Sequence, residues 1–184
     1  STISGGSGAI TLAGTIDGNF DLALNSTGVT SIDGIIGGTA LNTLTTNAEV
    51  STRINANITT SSTQTYNDAV DIEGATRTLT SNGGAITFDS TVDSLSTTRR
   101  SLTVDAGSGL TKFNGVVGGA DEMGAIIISG SGGLDLNADV SNATSLAVTG
   151  ASNLGGNVTT VDAQTYTGAV TLSGATRTLL SSGG

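Results

Sequence analysis

The sequence predicts an all-β fold, a right-handed parallel β-helix (β-solenoid) of roughly nine coils. Three observations carry that expectation. The stretch Gln64 to Gly84, QTYNDAVDIEGATRTLTSNGG, returns as Gln164 to Gly184, QTYTGAVTLSGATRTLLSSGG, with 14 of 21 positions identical. Short alternating apolar and polar runs fill the chain between glycine-rich turns. Finally, the offset between matched segments grows in steps, and the larger step is about one coil long.

Taken in order, Gly8 to Leu12 (GAITL) aligns with Gly84 to Phe88 (GAITF), 76 residues later, and Thr15-Ile16-Asp17 with Thr91-Val92-Asp93. Thr27 to Gly38 aligns with Ser108 to Gly119 at an offset of 81, with apolar, turn and glycine positions coinciding. The closing stretch stands at an offset of 100. Five residues (81 − 76) are therefore added around Arg99-Arg100 and nineteen (100 − 81) near Met123 to Gly150. Residues 1–84 form a first long repeat and 85–184 a second with about one extra coil, in one continuous solenoid that reads as an excerpt of a longer array. Solenoids gain whole turns readily because each turn covers its neighbour by the same rule.

Strands are expected at Ala69 to Ile72, Arg77 to Thr80, Ala85 to Phe88, Ser101 to Val104, Ile126 to Ser129, Leu134 to Val140 and Ser145 to Val148. In them Val70 and Ile72 point one way and Ala69 and Asp71 the other; Leu102 and Val104 oppose Ser101 and Thr103. Asp17-Gly18, Asp33-Gly34 and Asn114-Gly115 supply turns, and Gly83-Gly84, Gly118-Gly119 and Gly132-Gly133 tight corners. An antiparallel sandwich would use similar strands. It does not naturally repeat over roughly 80 to 100 residues with a whole-coil insertion, whereas coils stacked about 4.8 Å apart do, giving a rod of about 40 Å.

Composition narrows the function classes. Three Phe, two Tyr and no Trp imply a narrow interior filled by small aliphatic side chains. The absence of Cys excludes disulfides and thiolate chemistry, and the absence of His removes the side chain best suited to acid and base work near neutrality. Fifteen acidic against six basic residues, net −9, leave no basic patch for nucleic acid. The longest apolar run, Ala125 to Ile128, is far short of the roughly 20 residues of a membrane helix, so membrane insertion is not expected. No signal peptide is visible.

The recurring pattern T-Y-x-G-A-V-x-L-x-G-x-T-x-L-x-S-x-G-G-x-I-T-F, at Thr65 to Phe88 and Thr165 to Gly184, resembles the large bacterial β-strand-repeat exoproteins related to filamentous haemagglutinin. The resemblance is spread over the whole chain. It implies right-handed β-helical rods exported to the bacterial cell surface, often by two-partner secretion, and used as adhesins, matrix components or stalks. The family's secretion domain is not recognisable in these residues.

Candidate chemistry is sparse. Asp17-Gly18-Asn19-Phe20-Asp21 and Asp135-Leu136-Asn137-Ala138-Asp139 have the oxygen-ligand spacing that opens a calcium loop, but positions six and twelve hold Leu22 and Gly28, and Val140 and Leu146, instead of Gly and Glu. Asp17, Asn19 and Asp21, in a turn, remain the calcium candidates; the second run reads as the outer face of a strand. Ser4-Gly5-Gly6-Ser7-Gly8 lacks the Lys and the helix of a phosphate cradle and reads as a repeat corner. Asp68, Asp71 and Glu73 are the densest carboxylates, yet Gly168, Thr171 and Ser173 replace them in the second copy, which suits a solvated flank and not a lyase groove. Arg77 and Arg177 are expected at corners with their stems over the core edge, and Arg99-Arg100 in an exposed turn. Asn25, Asn57, Asn142 and Asn157 begin N-x-S/T triplets that carry no weight in so Thr-rich a chain.

The expected function is a non-catalytic structural segment of an extracellular bacterial fibre or adhesin, giving reach, stiffness and surface display. Catalytic residues and cofactors are not expected, calcium apart. Expected partners are adjacent repeats or other copies of the chain, joined end to end through unpaired strand edges, and a glycan or protein on a host or neighbouring cell. The alternative is a glycan-binding or polysaccharide-degrading β-helix.

Overall fold

A computed structural model describes residues 1–183; Gly184, the last residue of the repeated stretch, lies outside them. Every strand pairing is parallel. The chain winds as a β-solenoid of about nine turns with three faces, and the antiparallel alternative is thereby set aside.

The first face is a ladder of nine strands: Thr2–Gly6, Leu22–Ser26, Leu44–Ala48, Gln64–Tyr66, Ile86–Phe88, Thr111–Phe113, Leu134–Leu136, Ser152–Leu154 and Val170–Leu172. The second runs through Ile10–Leu12, Thr30–Ile32, Thr52–Ile54, Val70–Ile72 and Val92–Ser94, then by single-residue bridges through Val117 to Val140, and on to Val158 and Leu179. On the third face the column is Ile16, Ile36, Ile58, Leu79, Val104, Ile128, Val148 and Tyr166. A coil takes from 18 residues, Leu134 to Ser152, to 25, Ile86 to Thr111. The difference is taken up in the corners and in bulges such as that between Ile36 and Leu41, while most paired residues stay in register.

Most strands are three residues long and bury the first and third, as the alternation predicts: Val70, Ile72, Leu102 and Val104 are fully buried. Each such side chain removed from water contributes roughly 1.5–3 kcal/mol, and stacked columns let one coil shield the next. The interior is not uniformly aliphatic. Tyr66, Phe88 and Phe113 stack in successive coils of the first face, with ring centroids 5.1 and 4.9 Å apart and planes within 12°. Parallel pairing in register brings the side chains of neighbouring coils almost into coincidence, and flat rings tolerate that spacing. One expected strand, Leu134 to Val140, is broken: it ends at Leu136, and Asn137 to Asp139 turn the corner before Val140–Val148 begins.

Matched segments do not occupy matched faces. Ile10 lies on the second face of the first coil and Ile86 on the first face of the fifth; Thr30 and Thr111 are related in the same way between the second and sixth coils. Each pair is three coils and two faces apart. Gln64, on the first face of the fourth coil, and Gln164, on the third face of the eighth, are four coils and two faces apart. The nineteen added residues thus amount to one coil, and the second copy sits two faces on from the first.

Candidate functional site

Asp17 and Asp21 lie in the turn between Ile16 and Leu22 and line one shallow cavity with Phe20 and Leu41. Both carboxylates are bonded to the following coil. Thr39 N donates to Asp17 Oδ1 at 2.9 Å; Asn42 Nδ2 and Thr43 Oγ1 donate to Asp21 Oδ1 at 2.6 and 2.8 Å. The bonds from Thr43 and Asn42 hold the Asp21 carboxyl below the usual carboxylate range. Asn19 is exposed. Among the described residues no three His, Cys, Asp or Glu side chains gather as a metal cluster.

The second acidic run is divided by its corner. Asp135 faces outward on the first face, where Asn153 Nδ2 donates to Oδ1 at 2.8 Å and Lys112 Nζ lies 3.5 Å from Oδ2. Burial raises its pKa, but the amides of Asn153 and Asn137 and the Lys112 ammonium outweigh that and hold the carboxyl below its ordinary value. At the corner, Asn137 Nδ2 donates to Asn114 Oδ1 at 2.8 Å and Asn114 Nδ2 to Asp89 Oδ1 at 2.6 Å, a ladder of amides along the edge of the prism. Asp139 Oδ1 accepts from Asn157 N at 2.7 Å.

Asp68, Asp71 and Glu73 are not one solvated flank. Asp71 and Glu73 are half-buried, but Asp68 turns inward at its corner and is only 6% exposed, accepting from Thr46 Oγ1 at 2.7 Å and Thr52 Oγ1 at 2.6 Å. Thr46 and Thr52 flank the same corner one coil earlier, so their hydroxyls satisfy the buried carboxylate. Arg99 also departs from expectation. Its turn is tied down by an ion pair with Glu122 and a 3.3 Å bond to Thr144 Oγ1, and Arg100 already begins the strand Arg100–Asp105.

The repeated stretch makes one set of bonds twice. Gln64 Nε2 donates to Thr60 Oγ1 at 3.3 Å and to Thr80 O at 2.8 Å, and Tyr66 Oη donates to Gln64 Oε1 at 2.9 Å. In the second copy Gln164 Nε2 donates to Thr160 Oγ1 at 3.3 Å and Leu180 O at 2.9 Å, with Tyr166 Oη to Gln164 Oε1 at 3.2 Å. Arg77 Nε donates to Glu73 O at 2.8 Å and Arg177 Nε to Ser173 O at 3.0 Å. Each arginine folds back over a glycine of positive φ, Gly74 at 73° and Gly174 at 80°, where a Cβ would collide with the guanidinium. Asn57 Oδ1 accepts from Thr78 N at 3.0 Å and Asn157 Oδ1 from Thr178 N at 2.9 Å.

Thr60, Asn57 and their second-copy equivalents lie upstream of the stretch that first shows the repeat. The signal was there: N-I-T-T at 57–60 and N-V-T-T at 157–160 share the offset of 100. The recurring polar residues thus close the corners from within, and the glutamine and asparagine bonds also reach the neighbouring strands, while the charged positions differ between copies. No family model matches the chain, and no curated protein or solved structure shows significant similarity to it.

Proposed function

We propose that the chain is a non-catalytic structural segment of an extracellular bacterial fibre or adhesin, serving reach, stiffness and display at the cell surface. One observation carries the reading: the polar residues that recur between the copies close a corner and clamp it to its neighbour, Gln64 to Thr80 and Gln164 to Leu180 above all, while the carboxylates Asp68, Asp71 and Glu73 give way to Gly168, Thr171 and Ser173. A chain selected for cohesion along its axis keeps the clamps; a binding or catalytic repeat would keep its charged groups as well. The resemblance to filamentous-haemagglutinin-related exoproteins supports the same role. Adjacent repeats, or other copies meeting the unpaired strand edges, are its partners, and any glycan or protein on another cell is met by the variable outer wall.

Electron microscopy of the chain, with a glycan array and polysaccharide turnover assays, tests this. The expected result is a uniform rod of about 40 Å that turns over no polysaccharide. Turnover of one polysaccharide, or tight specific binding of one glycan abolished by substitutions at Lys112 and Asp135, would replace it with the glycan-active alternative.

A further inference from the structure

Away from the first coil, where Ile16 is bridged to Ile36 alone, the described residues show one thin rung. On the second face of the sixth coil the ladder narrows to Val117 alone, bridged to Val92 and Val140, and Gly118 to Asp121 bend away from it. Its main-chain bonds are two to each neighbouring coil: Val92 N to Val116 O at 3.0 Å and Gly118 N to Val92 O at 2.9 Å on one side, Val117 N to Asp139 O and Ser141 N to Val117 O, both 2.9 Å, on the other. The five residues added to the second copy form the neighbouring turn, Leu95 to Arg99. From that turn Arg99 pairs with Glu122 and reaches Thr144 Oγ1, and Asn142 Nδ2 donates to the other oxygen of Glu122. Ser94 Oγ accepts from Arg100 N at 2.9 Å and donates to Glu122 O at 2.8 Å, and Ala120 N donates to Asp93 Oδ1 at 3.0 Å. Coils five, six and seven are thereby tied across the thin rung by side chains.

We infer that the turn Leu95 to Arg99 is a salt-sensitive strap, and that the thin rung it closes is the hinge of an otherwise stiff rod. The ion pair at the centre is partly solvated, with Arg99 31% and Glu122 46% exposed, so dissolved ions screen it. The main-chain ladders elsewhere have no such dependence. The two additions to the second copy therefore belong together, since the extra coil brings Asn142 and Thr144 and the longer turn brings Arg99 to meet them. This goes beyond the rod reading by naming where the rod yields and what controls it.

Backbone hydrogen exchange tests the strap, reading Val117, Gly118 and Ser141 against Ile36 and Gly37 of the second coil. At low salt Arg99→Gln and Glu122→Gln should each raise exchange at the first three amides about fivefold, as expected of a modest ion-pair network, and leave the second coil unchanged. The double variant should add little to either single one. High salt should raise wild-type exchange by a similar factor and the variants' hardly at all. Unchanged exchange in the variants, an increase spread evenly over all coils, or the same salt response in wild type and variants would each overturn the inference.

Discussion

Gln64–Tyr66 pairs on the first face and Gln164–Tyr166 on the third, yet the two copies close the same glutamine, tyrosine and arginine bonds. Val70 stands on the second face and Val170 on the first; Leu79 on the third and Leu179 on the second. What differs is the neighbourhood. Gln64 and Tyr66 are fully buried between coils, while Gln164 and Tyr166 are partly exposed and Leu179 is 42% exposed. A motif that forms the same bonds at two different corners is not tied to one corner of the prism. The repeat specifies a corner followed by a strand, and the count of corners between copies decides the face.

The sharpest break in this comparison comes from cross-linking, because the chain has no cysteine of its own. Thr165 pairs in register with Ala147 on the third face, whereas Asn153 is an outward residue of the first. Adjacent parallel rungs lie about 4.8 Å apart, within disulfide reach. Ala147→Cys with Thr165→Cys should oxidise nearly completely and Asn153→Cys with Thr165→Cys hardly at all. The opposite pattern would place both copies on one face.

Next in size is the aliphatic column. Leu79→Ala removes a side chain that is 0% exposed and should cost about 3 kcal/mol through lost burial and the cavity left behind. Leu179→Ala, in the same sequence motif, should cost less than about 1 kcal/mol because water already reaches that side chain. Urea midpoints of the two variants measure the gap. Equal losses would mean that the motif, and not its coil neighbours, sets the stability.

Much of this was legible in the residues. The alternation located the strands, and the nineteen-residue step located a coil, because both depend on local spacing that side chains impose directly. The face occupied by each copy was not legible, since strands of three residues look alike on every face and only the sum of the intervening corners distinguishes them. The run Leu134 to Val140 alternates straight through Asn137, so a pattern of period two cannot see the corner there. Nor could Asp68 be placed, because the hydroxyls that draw it inward belong to Thr46 and Thr52, 22 and 16 residues earlier.

Alkaline pH should also separate the copies. Burial, aided by the Asp68 charge, pushes the Tyr66 phenol far above its usual range, and burial alone pushes Tyr166 up to about 12. Both phenols keep their protons in the folded chain above pH 10, where the unfolded chain releases them, so folding binds protons there. Stability is intact below about pH 10 and falls as pH rises beyond it, through about 12 for Tyr166 and further for Tyr66. Tyr66→Phe and Tyr166→Phe should each remove a similar share of the loss up to about pH 11, and Tyr66→Phe the larger share once the pH passes about 12 and Tyr166 ionises in the folded chain too, as read from urea midpoints between about pH 9 and 13. Identical slopes in wild type and both variants would contradict the burial difference.

The smallest expected effect is the one that should be equal in the two copies. Asn57 and Asn157 each accept one main-chain N–H from the next coil, from Thr78 and Thr178, at nearly the same length. Asn57→Ala and Asn157→Ala should each cost about 1 kcal/mol, the usual net worth of such a bond. Asn157 Nδ2 also approaches Asp139 Oδ2, but 3.5 Å is too long to add much. If corners are interchangeable the two losses agree within about 0.5 kcal/mol, inside the scatter expected of single hydrogen bonds. A much larger loss at Asn57 would show that even these outer bonds depend on the face, and that the motif is less portable round the prism than its repeated bonds indicate.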